Sequence, residues 1–117
     1  MVRSLMAVMA ATTGLLVGPA CGAPAAAPAV VQLTLKDHRF APETVSVPVG
    51  QKIRIELANE DSALEEFDSQ DLGVEKDVTP HGRVSFTVGP LKPGRYSFMG
   101  ELHADTASGV LEATAAP

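Results

Sequence analysis

The chain has few of the residues on which several common protein functions depend. Its 117 residues include one cysteine, one tyrosine and no tryptophan, and aromatic residues make up only 4% of the total. The formal net charge of -5 is the opposite of what a nucleic-acid-binding surface requires. The shortage of aromatic residues argues against an aromatic cage for a ligand. What remains is one small acidic domain that does not bind nucleic acid.

The N-terminal 23 residues have the pattern of a targeting segment. Arg3 supplies a positive charge, and residues 5–17 are uncharged and mostly apolar. A helix of that length is too short for the hydrocarbon core, so we predict a signal peptide over residues 1–23 and a periplasmic or other extracytoplasmic location. The residues before Cys21 loosely resemble a bacterial lipobox, which gives a lipid anchor on Cys21 as an alternative.

The position of the single cysteine restricts the chemistry of the folded part. Residues 24–29 are rich in alanine and proline and predict a linker, so the folded domain is expected over residues 30–115. That domain contains no cysteine, which excludes a disulfide framework, a cysteine nucleophile and a thiolate metal site. It keeps only Met99 of the four methionines, which excludes methionine-rich copper binding.

The predicted domain alternates apolar and polar residues, as half-buried strands do. The clearest case is residues 53–57, where Ile53, Ile55 and Leu57 alternate with charged residues. Similar short segments are separated by glycine and proline turns, of which residues 89–94 are the strongest. Five to seven strands without a long helix predict an all-β sandwich or barrel. Its core is expected to take up the five aromatic residues, Phe40, Phe67, Phe86, Tyr96 and Phe98.

Acidic residues are concentrated in two places. Eight of the fourteen lie between residues 60 and 77, and Glu101, His103 and Asp105 alternate after the strand that contains Tyr96. In an extended segment these three side chains would point the same way and offer carboxylate and imidazole ligands to a metal ion. The alternative is a solvated acidic loop beside an ordinary histidine. His38 and His81 lie in loops without grouped ligands, and we interpret both as surface histidines.

Several motifs resemble the cupredoxin domain. They are Phe40-Ala-Pro42, residues 45–50 and 53–59, Gly94-Arg-Tyr-Ser-Phe98 and His103, and the resemblance covers residues 30–113. It implies a Greek-key β-sandwich of about 6–8 strands. Blue-copper members have a histidine where this chain has Glu65, a cysteine at Gly100, a histidine at His103 and a methionine near Ser108. Only His103 is kept, which argues against a blue-copper site.

One branch of the cupredoxins resembles the chain more closely. Residues 65–69, 72–76, 89–96 and 98–103 are similar to the EfeO-type domains, which are periplasmic and associated with bacterial iron permeases. The resemblance implies binding of Cu(II) or Fe(III) by carboxylates in support of iron uptake, with a membrane iron permease as the partner. The expected ligands are Glu65, Glu101 and His103, with further ligands or supporting carboxylates from Glu66, Asp68 and Asp105.

We therefore predict an exported cupredoxin-like protein that captures or hands over a copper or iron ion. No nucleophile-elbow pattern is present, and we do not expect an enzyme. Two other functions remain open at this stage. One is an electron-transfer protein with a non-blue copper site. The other is a metal-free binding module that meets a basic partner through its acidic loop.

Overall fold

The computed structural model describes residues 28–115, together with Gly14. Three predictions lie outside the described residues: the signal peptide apart from Gly14, the lipid anchor on Cys21, and residues 24–27 of the linker. The first strand begins at Ala29, the last residue of that linker. The described residues form nine strands: β1 (Ala29–Lys36), β2 (Arg39–Ala41), β3 (Thr44–Pro48), β4 (Ile53–Asn59), β5 (Glu65–Ser69), β6 (Val74–Val78), β7 (Arg83–Val88), β8 (Gly94–Gly100) and β9 (Ser108–Thr114).

The strands form two sheets that pack face to face. One sheet has the order β2-β1-β4-β7 and the other the order β3-β9-β8-β5-β6. Strand β1 pairs with β4, and β3 with β9, in parallel, whereas all other neighbours are antiparallel. The predicted all-β sandwich is confirmed, with nine strands where about 6–8 were expected.

The predicted alternation decides which side chains face between the sheets. In β1 and β4 every apolar residue that was expected to point inward is buried: Val31, Leu33, Leu35, Ile53, Ile55 and Leu57. In β7 only Val88 is buried, while Val84 and Phe86 pack at the border of the core. The strand pattern therefore gave the correct inward face in each case.

Three strands have no apolar alternation in the sequence, and we did not predict them. β2 is only three residues long, and β6 exposes three charged residues in a row. In β5 the buried positions are Glu65, Phe67 and Ser69, so two polar side chains occupy places that a core strand normally fills with apolar ones. Their burial is possible because both are hydrogen-bonded.

Four phenylalanine rings join the two sheets, as expected. The Phe67 ring is fully buried, and its centroid lies 4.9 Å from that of Phe86 and 5.2 Å from that of Phe98. Phe40 meets Phe98 edge to face at 5.0 Å. Such ring pairs add to the hydrophobic effect of the buried area. The cluster links β2, β5, β7 and β8 across the core.

The connection between β8 and β9 includes a short helix rather than a simple loop. Residues Glu101–His103 form a 3-10 helix. Within residues 28–115, no helix combines the length and the apolar character that a membrane crossing needs.

In the phenylalanine cluster, truncating the fully buried Phe67 should destabilise the protein more than truncating the half-buried Phe86. We expect Phe67→Ala to lower the free energy of unfolding by about 3–5 kcal/mol, because the cavity is fully enclosed. Phe86→Ala removes the same atoms from a half-buried site and should cost clearly less. Chemical denaturation measures both values, and equal losses would contradict this account of the core.

Candidate metal centre

Three ligand-type side chains meet at one end of the sandwich. They are His38 from the β1–β2 turn, Glu65 at the start of β5 and His103 in the 3-10 helix. Each offers a nitrogen or oxygen ligand atom within 4.8 Å of the others. They are far apart in sequence, and only the packing of the two sheets brings them together.

Glu65 is the most deeply buried member of the group, with 1% of its side chain exposed. Its Oε1 accepts hydrogen bonds from the backbone N–H groups of Glu66 and Leu102, both at 3.0 Å. Its Oε2 lies 2.6 Å from Nδ1 of His103. A buried carboxylate needs such donors to replace the water it has lost, and here three of them converge on it.

His103 is oriented by this contact. Because the carboxylate of Glu65 can only accept, its 2.6 Å hydrogen bond assigns the proton of a neutral His103 to Nδ1 and leaves Nε2 with a free lone pair. A metal ion that takes both side chains as ligands would replace this proton, so that Nδ1 of His103 and Oε2 of Glu65 would bind it together. The side chain remains 27% exposed, so the ring is accessible from solvent.

His38 belongs to this group, although we predicted from the sequence that it has no other ligand-type residues beside it. Its ring stacks on that of His103, with centroids 3.7 Å apart and planes 13° from parallel. The His38 Nδ1 atom is buried and has no hydrogen-bond partner. The nearest carboxylate oxygen of Asp61 is 3.6 Å away, within the range of an ion pair but too far for a hydrogen bond. The interpretation of His38 as an isolated surface histidine is therefore wrong.

Asp61 supports the turn that carries His38. Its Oδ1 accepts the backbone N–H of Asp37 at 2.7 Å, and its Oδ2 accepts that of His38 at 2.9 Å. Burial acts to raise the pKa of Asp61, but these two hydrogen bonds and the charges of His38 and His103 lower it below its usual value.

Gly100 leaves the space that the Glu65 carboxylate occupies. A Cβ atom at position 100 would lie 2.6 Å from Cδ of Glu65 and 2.9 Å from Cβ of Ala107. Both distances are shorter than van der Waals contact. Glycine is therefore the residue that fits this position beside a buried glutamate.

The expected set of Glu65, Glu101 and His103 is not brought together. Residues 101–103 are helical rather than extended, and with about three residues per turn Glu101 and His103 point in different directions. The chain curls because the backbone N–H groups of Thr106 and Ala107 both bond to the carbonyl of His103. Our expectation of an extended segment with Glu101, His103 and Asp105 on one side is wrong.

Glu101 belongs instead to a second group, with Glu66 and Glu75. Glu66 follows Glu65 along β5 and so points to the opposite face of the sheet. Its pKa is raised above the usual value by partial burial, by a hydrogen bond with Glu101 and by the negative charges around it. Glu65 and Glu66 are therefore in different environments, since Glu65 is buried beside His103 and Glu66 lies beside Glu101.

The remaining expected residues lie outside both groups. Asp68 is half-buried on β5, and Asp105 is exposed in the turn before β9. Neither contributes to the two described groups of ligand-type side chains. His81 is exposed in the β6–β7 loop, as we predicted.

Comparison with known proteins agrees with this architecture. A family model for the cupredoxin-like domain matches residues 5–113. The chain belongs to this family. The uncharacterized protein RP394 of Rickettsia prowazekii is 47% identical over 81 residues, which are 69% of this chain and 65% of that protein. The cupredoxin family that the motifs resembled is thus confirmed.

Solved structures with the same fold include several copper proteins. Auracyanin A, a blue copper protein of Chloroflexus aurantiacus, has a TM-score of 0.65 at 13% identity, covering 75% of this chain and all of that one (100%). The metal-binding domain of the Cu(I)-exporting ATPase CopA of Streptococcus pneumoniae has a TM-score of 0.65 at 11% identity, covering 73% and 84%. A copper-containing nitrite reductase of Thermus scotoductus has a TM-score of 0.60 at 21% identity, covering 84% and 25%. The cupredoxin fold therefore occurs in metal-binding proteins and in at least one enzyme.

The close approach of Gly100 and Glu65 can be tested by a double-mutant cycle. We expect Gly100→Ala to destabilise the protein by about 1–3 kcal/mol, because the new methyl group overlaps the carboxylate. In the Glu65→Ala background the same change should cost less, leaving only the contact with Ala107, with a coupling of at least about 0.5 kcal/mol. Chemical denaturation of the four proteins gives this coupling, and additive losses would contradict the overlap.

Proposed function

We propose that the protein binds a transition-metal ion with His38, Glu65 and His103 as its ligands. The observation that carries the proposal is the buried Nδ1 atom of His38, which has no partner beside a buried carboxylate and a second imidazole. Unpaired buried polar atoms are rare in folded proteins and call for an explanation. An ion held between these three side chains supplies one.

The donor set favours Cu(II), with iron as the second candidate. Two imidazoles and one carboxylate suit copper, iron and zinc, whereas Cu(I) prefers thiolate and thioether ligands that the domain lacks at this place. Among divalent ions Cu(II) forms the strongest complexes with such ligands. Fe(III) is the second candidate because one of the three ligands is a carboxylate and because the sequence resembles the EfeO-type branch.

The proposed role is to capture the ion outside the cytoplasm and hand it over. The rings of His38 and His103 retain 43% and 27% of their side-chain exposure, so the ion can enter and leave from solvent. The sequence pattern of residues 1–23 supports export, and the EfeO-type motifs support a link to a membrane iron permease. Binding and release need no catalytic step, and we assign the protein no enzymatic activity.

Metal titration with matched histidine variants tests the site. We expect the purified protein to bind one equivalent of Cu(II) by calorimetry and element analysis. His38→Asn, Glu65→Gln and His103→Gln should each weaken binding about 10-fold or more, since each removes a ligand. The control is His81→Asn, because His81 shares the positive φ of His38 (56° and 57°) but lies outside the group.

The outcomes separate the proposal from its alternatives. Equal binding by wild type and the three ligand variants would overturn the site, and no binding of Cu(II) or Fe(III) would overturn metal binding altogether. In the latter case a salt-sensitive interaction of the acidic residues with a basic partner becomes the working explanation. A reversible copper potential in the intact protein would favour electron transfer over hand-over.

The physiological part of the proposal needs cells. Deleting the gene should reduce the uptake of radioactive iron under iron limitation, and a copy encoding His103→Gln should fail to restore it. A copy encoding His81→Asn is the matched control. Fractionation should recover the protein outside the cytoplasm. Unchanged iron uptake in the deletion strain would contradict the role in iron supply while leaving metal binding to be judged by the titration.

A further inference from the structure

The turn that carries His38 has an unusual backbone. Lys36 at the end of β1 pairs with Arg39 at the start of β2, so Asp37 and His38 form a two-residue hairpin turn. Both have positive φ angles, 52° and 57°. Turns of this kind favour Asn-Gly or Asp-Gly, because glycine is unstrained in the left-handed region and asparagine and aspartate tolerate it better than other residues do. A histidine at the second position therefore has to be held there by other contacts.

The side chain of Asp61 supplies those contacts. Each of its two oxygens accepts one of the two turn amides, from Asp37 at 2.7 Å and from His38 at 2.9 Å. The residues involved are 24 and 23 positions apart in sequence, so the bonds tie the β1–β2 turn to the loop after β4. Because Asp61 acts on the backbone and lies 3.6 Å from Nδ1 of His38, the imidazole nitrogen remains without a hydrogen bond.

Asp61 is itself fixed from behind by Asn59. The Asn59 side chain is buried, and its Oδ1 accepts the backbone N–H of Asp61 at 3.0 Å. Its Nδ2 donates to the carbonyl oxygens of Ala63, Val78 and Thr79 at 2.9–3.2 Å. The carbonyl of Asp61 also accepts the N–H of His81 at 3.0 Å. The carboxylate therefore has a fixed place in a network that spans three loops.

We infer that Asp61 is a positioning residue for the metal centre: its carboxylate holds the strained turn that keeps the His38 ring against His103. The inference rests on the proposed function for the role of His38 as a ligand. A strained two-residue turn is not needed merely to join β1 and β2, because Asn-Gly would do so at lower cost. Strain retained at such a place is typical of functional sites.

The experiment measures both the position of the ring and the affinity for Cu(II). In the metal-free protein, NMR contacts between the ring protons of His38 and His103 should be present in wild type and lost in Asp61→Ala. The affinity of Asp61→Ala for Cu(II) should fall about 10- to 100-fold, the range found when a residue behind a ligand is removed. Asp61→Asn keeps one acceptor oxygen and should lie between the two. It also serves as the milder variant if Asp61→Ala folds poorly.

A rescue variant separates positioning from direct ligation. In the double variant Asp61→Ala/Asp37→Gly, glycine adopts the left-handed conformation of the first turn position more readily than aspartate, so the turn should form more easily and ring contact and copper affinity should recover in part. The matched control is Asp71→Ala, because Asp71 also accepts a backbone N–H, from Ser97 at 2.8 Å, but takes no part in this turn or in the ligand group.

The outcomes distinguish this inference from the proposed function. Retained ring contact in Asp61→Ala would overturn the inference whatever the copper data are. Lost copper affinity with retained ring contact would identify Asp61 as a ligand instead. If wild type binds no copper but the ring contact depends on Asp61 and is rescued by glycine, the proposed function fails and the positioning of His38 by Asp61 stands.

Discussion

The buried carboxylate of Glu65 is the contact on which this end of the molecule depends. It fills the space above Gly100, and it accepts backbone N–H groups from β5 and from the 3-10 helix. The amide of Leu102 is available to it because the chain curls after β8 instead of continuing as a strand. That curl brings His103 to Glu65 and turns Glu101 away to the other face. The arrangement of the site thus follows from one buried carboxyl group that needs hydrogen-bond partners.

The fold could be predicted where the sequence alternates. Strand β4 could be predicted because apolar side chains, those of Ile53, Ile55 and Leu57, occupy every second position. β5 could not be recognised in this way, since Glu65 and Ser69 take inward positions and interrupt the pattern. Local rules often fail at functional sites, and β5 carries Glu65 of the candidate metal centre.

The site could be predicted only in part, for a related reason. Glu65 and His103 followed from the resemblance to cupredoxins, and the structure places them 2.6 Å apart. Glu101 was assigned from an assumed extended conformation, which the hydrogen bonds of the following turn prevent. His38 reaches the site through a hairpin held by Asp61, a contact between residues far apart in the chain. The available signal for that hairpin was the pair of polar residues, Asp37 and His38, that follows the alternating residues of β1.

The charges of β6 have a consequence for how copies of the molecule meet. This strand forms one margin of the five-stranded sheet, and Glu75, Lys76 and Asp77 are exposed along it. An open sheet margin invites the backbone of another chain to continue the ladder. Here an incoming copy would have to desolvate three ionised side chains and bring its own acidic surface near Glu66 and Glu101. Edge-to-edge association along β6 is therefore unfavourable, and the domain is protected against aggregation at this edge, which lies next to Glu66 and Glu101.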